Sequence, residues 1–501
     1  MRKGKVLVSI GLCFLCLFSY AQNFPGFNTG NFSGALATDV NPALIADNIY
    51  KFDLVLVGAS AFVDNNYQQV TYESLFDFDS YDGIVPRTNE TRYGLAMQEV
   101  RGPSFIFRTS PLNAFGFSSR LRSFGNLDDL TPELANELAD EFENPDSFEN
   151  AFFNQGGFTD VMGWQEYGFT YAKVVNYQDE HYWKVGATLK ILSGMGAGYI
   201  DFQTFDYTVD SAEVITIDQL NFDFGHSDNF NGVSSSDYDF TASGGLSFGF
   251  DIGIVYERRP QQKFVPSFGR RKQKAPKRND RPYKYRLGFS IIDIGRLKYT
   301  YGETSGAADE VTIDGSINIG EKFDDINNGQ ELLDSLATFT NIAPLSGDFT
   351  VGLPTTMKID FDYNLHNGFY VNANTVIDLK PLKFSDQTVH TISHLIVTPR
   401  YENDFFGAYV PFYVNTKGQA NLGAAVRLGP IVVGVHDVLP LLGRDPLESA
   451  GVFVALKTFT IKRNRTKSEL ECKDLYDGWK SRKKDVKREK KNFGDSPDLQ
   501  D

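Results

Sequence analysis

Residues 246–257 read LSFGFDIGIVYE, and their alternation decides the fold. Leu246, Phe248, Phe250, Ile252, Ile254 and Tyr256 share one parity; Ser247, Gly249, Asp251, Gly253 and Glu257 share the other. Successive side chains of a strand point to opposite faces, so a period of two means a strand with one greasy and one polar face. A bilayer outside and a wet lumen inside divide a strand in that way. Residues 52–62 repeat the pattern, with Phe52, Leu54, Leu56 and Phe62 on one parity.

The ends of the chain fit the same compartment. Arg2, Lys3 and Lys5 precede an apolar run from Val6 to Phe18, and Ser19-Tyr20-Ala21 offers small residues for cleavage before Gln22, so residues 1–21 read as a signal peptide. Cys13 and Cys16 each follow a leucine where a lipoprotein site needs a small residue. Cleavage leaves Cys472 alone, which excludes an intramolecular disulfide and a cysteine metal site. No later stretch has the ~18 uninterrupted apolar residues of a membrane helix.

Alternation and turn residues place strands near 51–63, 102–110, 114–124, 164–176, 182–195, 241–257 and 284–301. Seven more fall near 355–365, 368–378, 391–401, 406–416, 419–428, 430–438 and 451–461. An even antiparallel barrel keeps both ends in the periplasm, so long outer and short inner connections alternate along the chain. The stretches 64–101, 125–163, 196–240, 302–354, 379–390 and 439–450 are the long set, and the tight set includes Leu365-His366-Asn367-Gly368 and Gly429-Pro430. Two departures are the short turn Thr416–Gln419 outside and the long connection 258–283 inside. The predicted fold is therefore all-β: a transmembrane antiparallel barrel of about 14 strands over 51–461, preceded by a plug-like segment at 22–50 and followed by a basic periplasmic tail at 462–501.

Charge separates by side. The inner connection carries Arg258, Arg259, Lys263, Arg270, Arg271, Lys272, Lys274, Lys277, Arg278 and Arg281, against a net charge of −15 for the whole chain. Acids crowd the outer loops, as in Asp128, Asp129, Glu133, Glu137, Asp140, Glu141 and Glu143. Solvated loops account for scattered acids but not for basic residues gathering on the side that strand parity selects. Those basic residues are candidate contacts for an envelope protein. Nucleic acid is excluded as a partner because the loop lacks interleaved stacking aromatics and faces the periplasm.

Thr131-Pro132-Glu133 followed by Leu134, Leu138 and Phe142 reads as a capped helix in an outer loop, and residues 329–338 as a weaker second one. Tyr177, Tyr182 and Trp183 at an inner turn, and Trp164 with Tyr167 near an outer strand end, are the candidate aromatic girdles.

Asn41-Pro42-Ala43, within GNFSGALATDVNPALIADN, resembles the N-terminal segment of FadL-like and PorV-like barrels. The resemblance extends to WKVGATLKILSG at 183–194, LGFSIIDIG at 287–295 and RLGPIVVGVHDVLPLLG at 427–443, and points to an uncharacterised family of Bacteroidota outer-membrane barrels. It implies a fourteen-stranded barrel with the N-terminal segment folded into the lumen. Some relatives take up fatty acids and others serve the type IX secretion system as barrel partners; the matched motifs do not divide the two.

No enzyme motif survives inspection. Gly245-Leu246-Ser247-Phe248-Gly249 has the nucleophile-elbow spacing, yet Ser247 lies within a strand rather than at a strand-to-helix turn. Gly194–Gly198 precedes no helix that would present its N-terminus to a phosphate. His390 and His394 are four apart, which brings residues together on a helix but not along a strand. The Asp324–Gly329 segment places Ile326 at a calcium-ligand position and Ser335 where a glutamate is required. The expectation is no cofactor and no metal. The polar parity instead nominates Arg120, Arg122, Lys184, Lys190, Asp251, Lys358, Asp360 and Asp362 as lumen residues, either paired to rigidify a closed barrel or lining a path. The leading functional expectation is a barrel subunit of an envelope assembly or secretion machine; the alternative is a FadL-like transporter of hydrophobic or small solutes.

Overall fold

A computed structural model describes residues 24–67, 89–110, 112–139, 145–176, 180–210, 214–231, 242–259, 283–311, 316–318, 342–380, 387–439 and 449–462. The signal peptide, most of the basic inner connection, the weaker helix at 329–338 and the tail lie outside these residues.

Fourteen staves form a ring, and consecutive staves are antiparallel. They are β1 (Tyr50–Asn65), β2 (Arg92–Arg101 continued by Ser104–Arg108), β3 (Asn113–Leu130), β4 (Ala151–Asn176), β5 (His181–Val209), β6 (Leu246–Arg258) and β7 (Tyr285–Thr300). There follow β8 (Thr356–His366), β9 (Phe369–Asp378), β10 (His394–Glu402), β11 (Phe406–Tyr409 with Phe412–Asn415), β12 (Ala420–Leu422 with Ala424–Leu428), β13 (Ile431–Val435) and β14 (Ser449–Lys462). Pairing of β14 with β1 closes the ring, so among the described residues its staves present no free edge to the bilayer. Inner turns are tight where expected: Asn367 and Gly368 both take positive φ, 54° and 88°, the hairpin geometry that Asn-Gly favours.

The outer wall is greasy. Leu246, Phe248, Phe250 and Ile252 on β6 are 48–72% exposed, and Phe105, Phe107, Phe115, Phe169, Leu189, Phe289, Phe361, Phe412 and Val433 continue the belt around the ring. Such an area is far beyond the scattered apolar residues of a soluble surface, and a bilayer removes its cost. No helix among the described residues is long and apolar enough to cross a membrane. The chain is an outer-membrane β-barrel.

Four expectations are corrected by the backbone. Stave β2 starts at Arg92 rather than 102, because Gly102-Pro103 only interrupts it; proline has no N–H for the ladder, and the pairing with β1 lapses between Val55↔Ser104 and Gly58↔Arg101. Side-chain parity flips there, with Leu56 and Val57 both outward, so Phe62 faces the lumen and not lipid. Trp164 is fully buried inside, and Tyr182 packs against the inward-folded Arg259, so neither belongs to a girdle, whereas Trp183 and Tyr167 do lie outside. The stretch 196–240 is not simply a loop. The 26 and 29 residues of β4 and β5 rise above the belt, and there β5 pairs with the strand Val214–His226, forming an outer crown. Helix α1 (Pro132–Ala139) packs Leu134 into this crown beside Tyr207, Ile215 and Phe222.

Candidate functional site

The lumen is where chemistry concentrates, and the N-terminal segment fills it. Phe24 and Phe27 sit edge-on against Phe453 and Tyr409, at ring distances of 5.4 and 5.5 Å, and short 3-10 turns at Gly34–Asp39 and Pro42–Ile45 carry the chain across the bore. Asn41 starts the second turn as an extended residue whose Oδ1 accepts from Ala43 N at 2.9 Å. Its Nδ2 donates to two wall carbonyls, Ile254 O at 3.1 Å and Phe289 O at 3.0 Å. The wall opposite is bare: a Cβ on Gly186 would lie 2.5 Å from Ala43 N and 2.6 Å from Pro42 C, and one on Gly253 would collide with the Asn41 amide. Asn41-Pro42-Ala43 is thus a docking element set into a glycine window.

Every lumen residue nominated from strand parity is buried inside the ring: Arg120, Arg122, Lys184, Lys190, Asp251, Lys358, Asp360 and Asp362. Seven of them join three clusters, and Lys358 stands apart with its ammonium on Asp39 O at 2.8 Å. In the middle one, Arg101 meets Asp39 of the plug at 2.6 Å and Glu99 at 2.8 Å, while Arg120 reaches Asp39 at 3.2 Å and Glu166 through Nε at 2.7 Å. Arg122 bonds Asp293 at 2.9 Å and lies over the Trp164 ring at 4.9 Å, and Lys190 pairs with Asp251 at 2.7 Å and with Asp293. Among these partners, Asp39, Glu99, Glu166 and Asp293 had not been nominated. Asp293 was hidden by a register shift between Phe250 and Ile252: it takes a positive φ of 61° and turns inward out of strict alternation.

The second cluster closes the inner end. Lys184 meets Glu257 at 2.5 Å, and Arg259 meets Glu257 and, at 2.7 Å, Asp47 of the plug. This corrects the expectation for Arg259: it folds back over the Tyr182 ring at 4.0 Å and is committed to the plug rather than presented to a partner. Arg258 is exposed and pairs with Glu180. Arg270, Arg271, Lys272, Lys274, Lys277, Arg278 and Arg281 lie outside the described residues. The third cluster holds Arg286 and Arg400 on Asp362, at 3.1 and 2.6 Å, with Asp360 3.6 Å from Arg286. It ties the plug in through Arg286 to Thr29 O at 2.6 Å, and Glu402 accepts from Asn31 N at 3.1 Å. Lys457 and Asp53, 3.1 Å apart, hold the chain at Phe32–Ala35 from the opposite wall.

These are structural pairs more than reactive ones. A buried charge is tolerated when an opposite charge and hydrogen bonds replace its water, and each cluster supplies both. No group of three or more potential metal ligands occurs among the described residues. Ser247 sits within β6 opposite Leu192 and not at a turn. Above the plug remains a cavity of about 70 Å3, lined by both plug and wall.

One titrating anchor lies outside the membrane-spanning staves. In the crown, His226 Nδ1 is 2.9 Å from Ser227 O, Nε2 contacts Thr304 Oγ1, and the backbone accepts from Gly302 N at 2.7 Å. Burial pushes the imidazole below its ordinary 6.5, so the neutral form is favoured in the folded crown. The unfolded segment then binds more protons than the folded one as pH falls from the unfolded value toward the folded one. Stability is complete above about 6.5 and is lost below it. Limited proteolysis of the crown is expected to run faster at pH 5 than at pH 7.5, and His226→Gln to flatten that difference.

Comparison with solved structures finds barrels of similar architecture at very low identity. The Ralstonia pickettii toluene transporter TbuX is 11% identical, with 85% of this chain and 94% of that one covered and a TM-score of 0.40. A Pseudomonas aeruginosa FadL homologue is 11% identical, with 88% and 98% covered and a TM-score of 0.41. These likenesses are too distant to assign a solute. No curated protein matches. A family defined by sequence does match, over residues 42–436, from the docking element to the end of the thirteenth stave. The chain belongs to that family, the family of unknown function DUF5723.

Proposed function

We propose that this chain is a non-enzymatic outer-membrane transporter for small solutes, with its N-terminal segment acting as a displaceable plug. The observation that carries the reading is the nature of the plug–wall contact: Asp39, Asp47, Asn31 and Asn41 hold the wall through ion pairs and hydrogen bonds. Water can replace such contacts as a segment shifts, whereas a grease-filled bore would resist. The cavity above the plug gives a solute somewhere to wait. A partner-subunit role rests on the charge of the inner connection and tail alone, and Arg259, the buried member of that set, is bound to the plug.

The test is uptake by liposomes containing the mature chain. Radiolabelled small polar solutes are expected to enter faster than into empty liposomes and to saturate with concentration. Uptake indistinguishable from empty liposomes for every solute tried would return the weight to a closed barrel that serves a larger assembly.

A further inference from the structure

Four lysines are buried in the described chain: Lys184, Lys190, Lys358 and Lys457. Three of them meet a carboxylate, at 2.5, 2.7 and 3.1 Å. Lys358 does not. Its ammonium donates to a backbone carbonyl, Asp39 O at 2.8 Å, and no carboxylate oxygen lies within ion-pair distance among the described residues. The acids around it are taken, Asp39 by Arg101 and Arg120, and Asp293 by Arg122 and Lys190. Lys358 lines the cavity above the plug. A buried ammonium with one neutral partner is costly, and an anion in the cavity removes that cost.

The rest of the lining is equally under-used. Asn372 spends its Nδ2 on Asp360 at 2.8 Å but its buried Oδ1 has no partner, and Asn374 Nδ2 and Thr398 Oγ1 have none either. Buried polar atoms are nearly always bonded, and three orphans on residues that line one cavity leave hydrogen-bonding capacity there for a polar occupant. Arg122 also faces this space, with Nη1 engaged by Asp293 and Glu166. Apolar side chains share the lining, among them Val40, Met97, Phe124, Val376 and Ile396, so the polar groups stand among apolar ones. A cavity of about 70 Å3 holds a molecule of a few heavy atoms and not an alkyl chain.

We propose that this cavity is a binding site for a small hydroxylated organic carboxylate, with the carboxylate on Lys358 and Arg122 and the hydroxyl among Asn372, Asn374 and Thr398. The site deepens the transport reading and depends on it for purpose, though not for geometry. Water alone would satisfy the orphan amides and hydroxyl but leave Lys358 without a counter-charge.

The test is equilibrium dialysis of the detergent-purified mature chain against radiolabelled lactate, with lactamide, octanoate and inorganic phosphate as competitors. Saturable lactate binding is expected, with lactamide and phosphate at least ~10-fold weaker and octanoate no tighter than lactate, since lactamide loses the charge-assisted bond, phosphate misplaces it, and octanoate lacks the hydroxyl and outgrows the cavity. Lys358→Gln should weaken lactate ~10-fold or more while keeping the heat-modifiable mobility of an assembled barrel. Should that variant not assemble, Asn374→Asp places a negative charge on the same wall and should weaken lactate similarly. Absent lactate binding, equal binding of lactamide, tighter octanoate, phosphate competing as well as lactate, or unchanged affinity in the assembled variants would each overturn the proposal. Lactate binding without solute passage in liposomes would defeat the transport reading and leave the site standing; passage without lactate binding would do the reverse.

Discussion

Replacing Gly186 by valine is expected to unseat the plug and raise solute flux through the barrel by an order of magnitude or more. The first carbon of the new side chain would lie 2.5 Å from Ala43 N and 2.6 Å from Pro42 C. Both are backbone atoms, which cannot rotate away as a side-chain tip can. The wall has an easier time, because β5 pairs on both sides through Ala172↔Gly186 and Gly186↔Gly253, and a β-branched residue suits a strand. The strain therefore falls on the plug. Asn41→Ala should act in the same direction more gently, since it removes the bonds to Ile254 O and Phe289 O without adding bulk, a loss of roughly 1–3 kcal/mol. Uptake of a small solute by liposomes, with plug digestion by protease as a second readout, measures both. Wild-type flux and protection in Gly186→Val would mean that the glycine window does not hold the segment.

Removing one charge from the middle cluster should be the largest single loss of stability in the barrel. Asp293→Asn keeps a residue that tolerates the positive φ of 61°, so backbone strain does not confuse the result. It takes the carboxylate away from Arg122 at 2.9 Å and from Lys190. Breaking a buried pair by deleting one partner costs roughly 3–5 kcal/mol, because the remaining charge is stranded. Urea unfolding in detergent, followed by tryptophan fluorescence, reads it. Adding Arg122→Met should recover part of the loss, as the double variant no longer strands that guanidinium; a loss below about 1 kcal/mol in the single variant would show that water already screens the cluster.

How much of this was legible beforehand follows from where alternation holds. On β6 it holds without interruption, so lipid-facing Phe248 and lumen-facing Asp251 were both assigned from period alone. Where a wall kinks, the same rule misleads: the Gly102-Pro103 break moved Phe62 from lipid to lumen, and the register shift in β7 turned Asp293 inward. Glu99 and Arg101 were missed because charged lumen residues made 92–101 look like loop. Long-range partners were out of reach altogether. Nothing local in GALATDVNPA says that Asp39 will meet Arg101 and Arg120, although Asn41-Pro42-Ala43 stood out through its resemblance to the N-terminal segment of FadL-like and PorV-like barrels. The cavity, too, is a product of which groups fail to meet, and spacing along a chain does not encode that.

The central claim is that the N-terminal segment is a plug that leaves its seat to let solute pass. Planar-bilayer recording from the mature chain tests it most directly. A mostly closed barrel with brief openings is expected, with openings that become frequent in Gly186→Val and more frequent than wild type in Asn41→Ala. A wild-type barrel that is permanently open, or one that never opens in any of the three proteins, would contradict it.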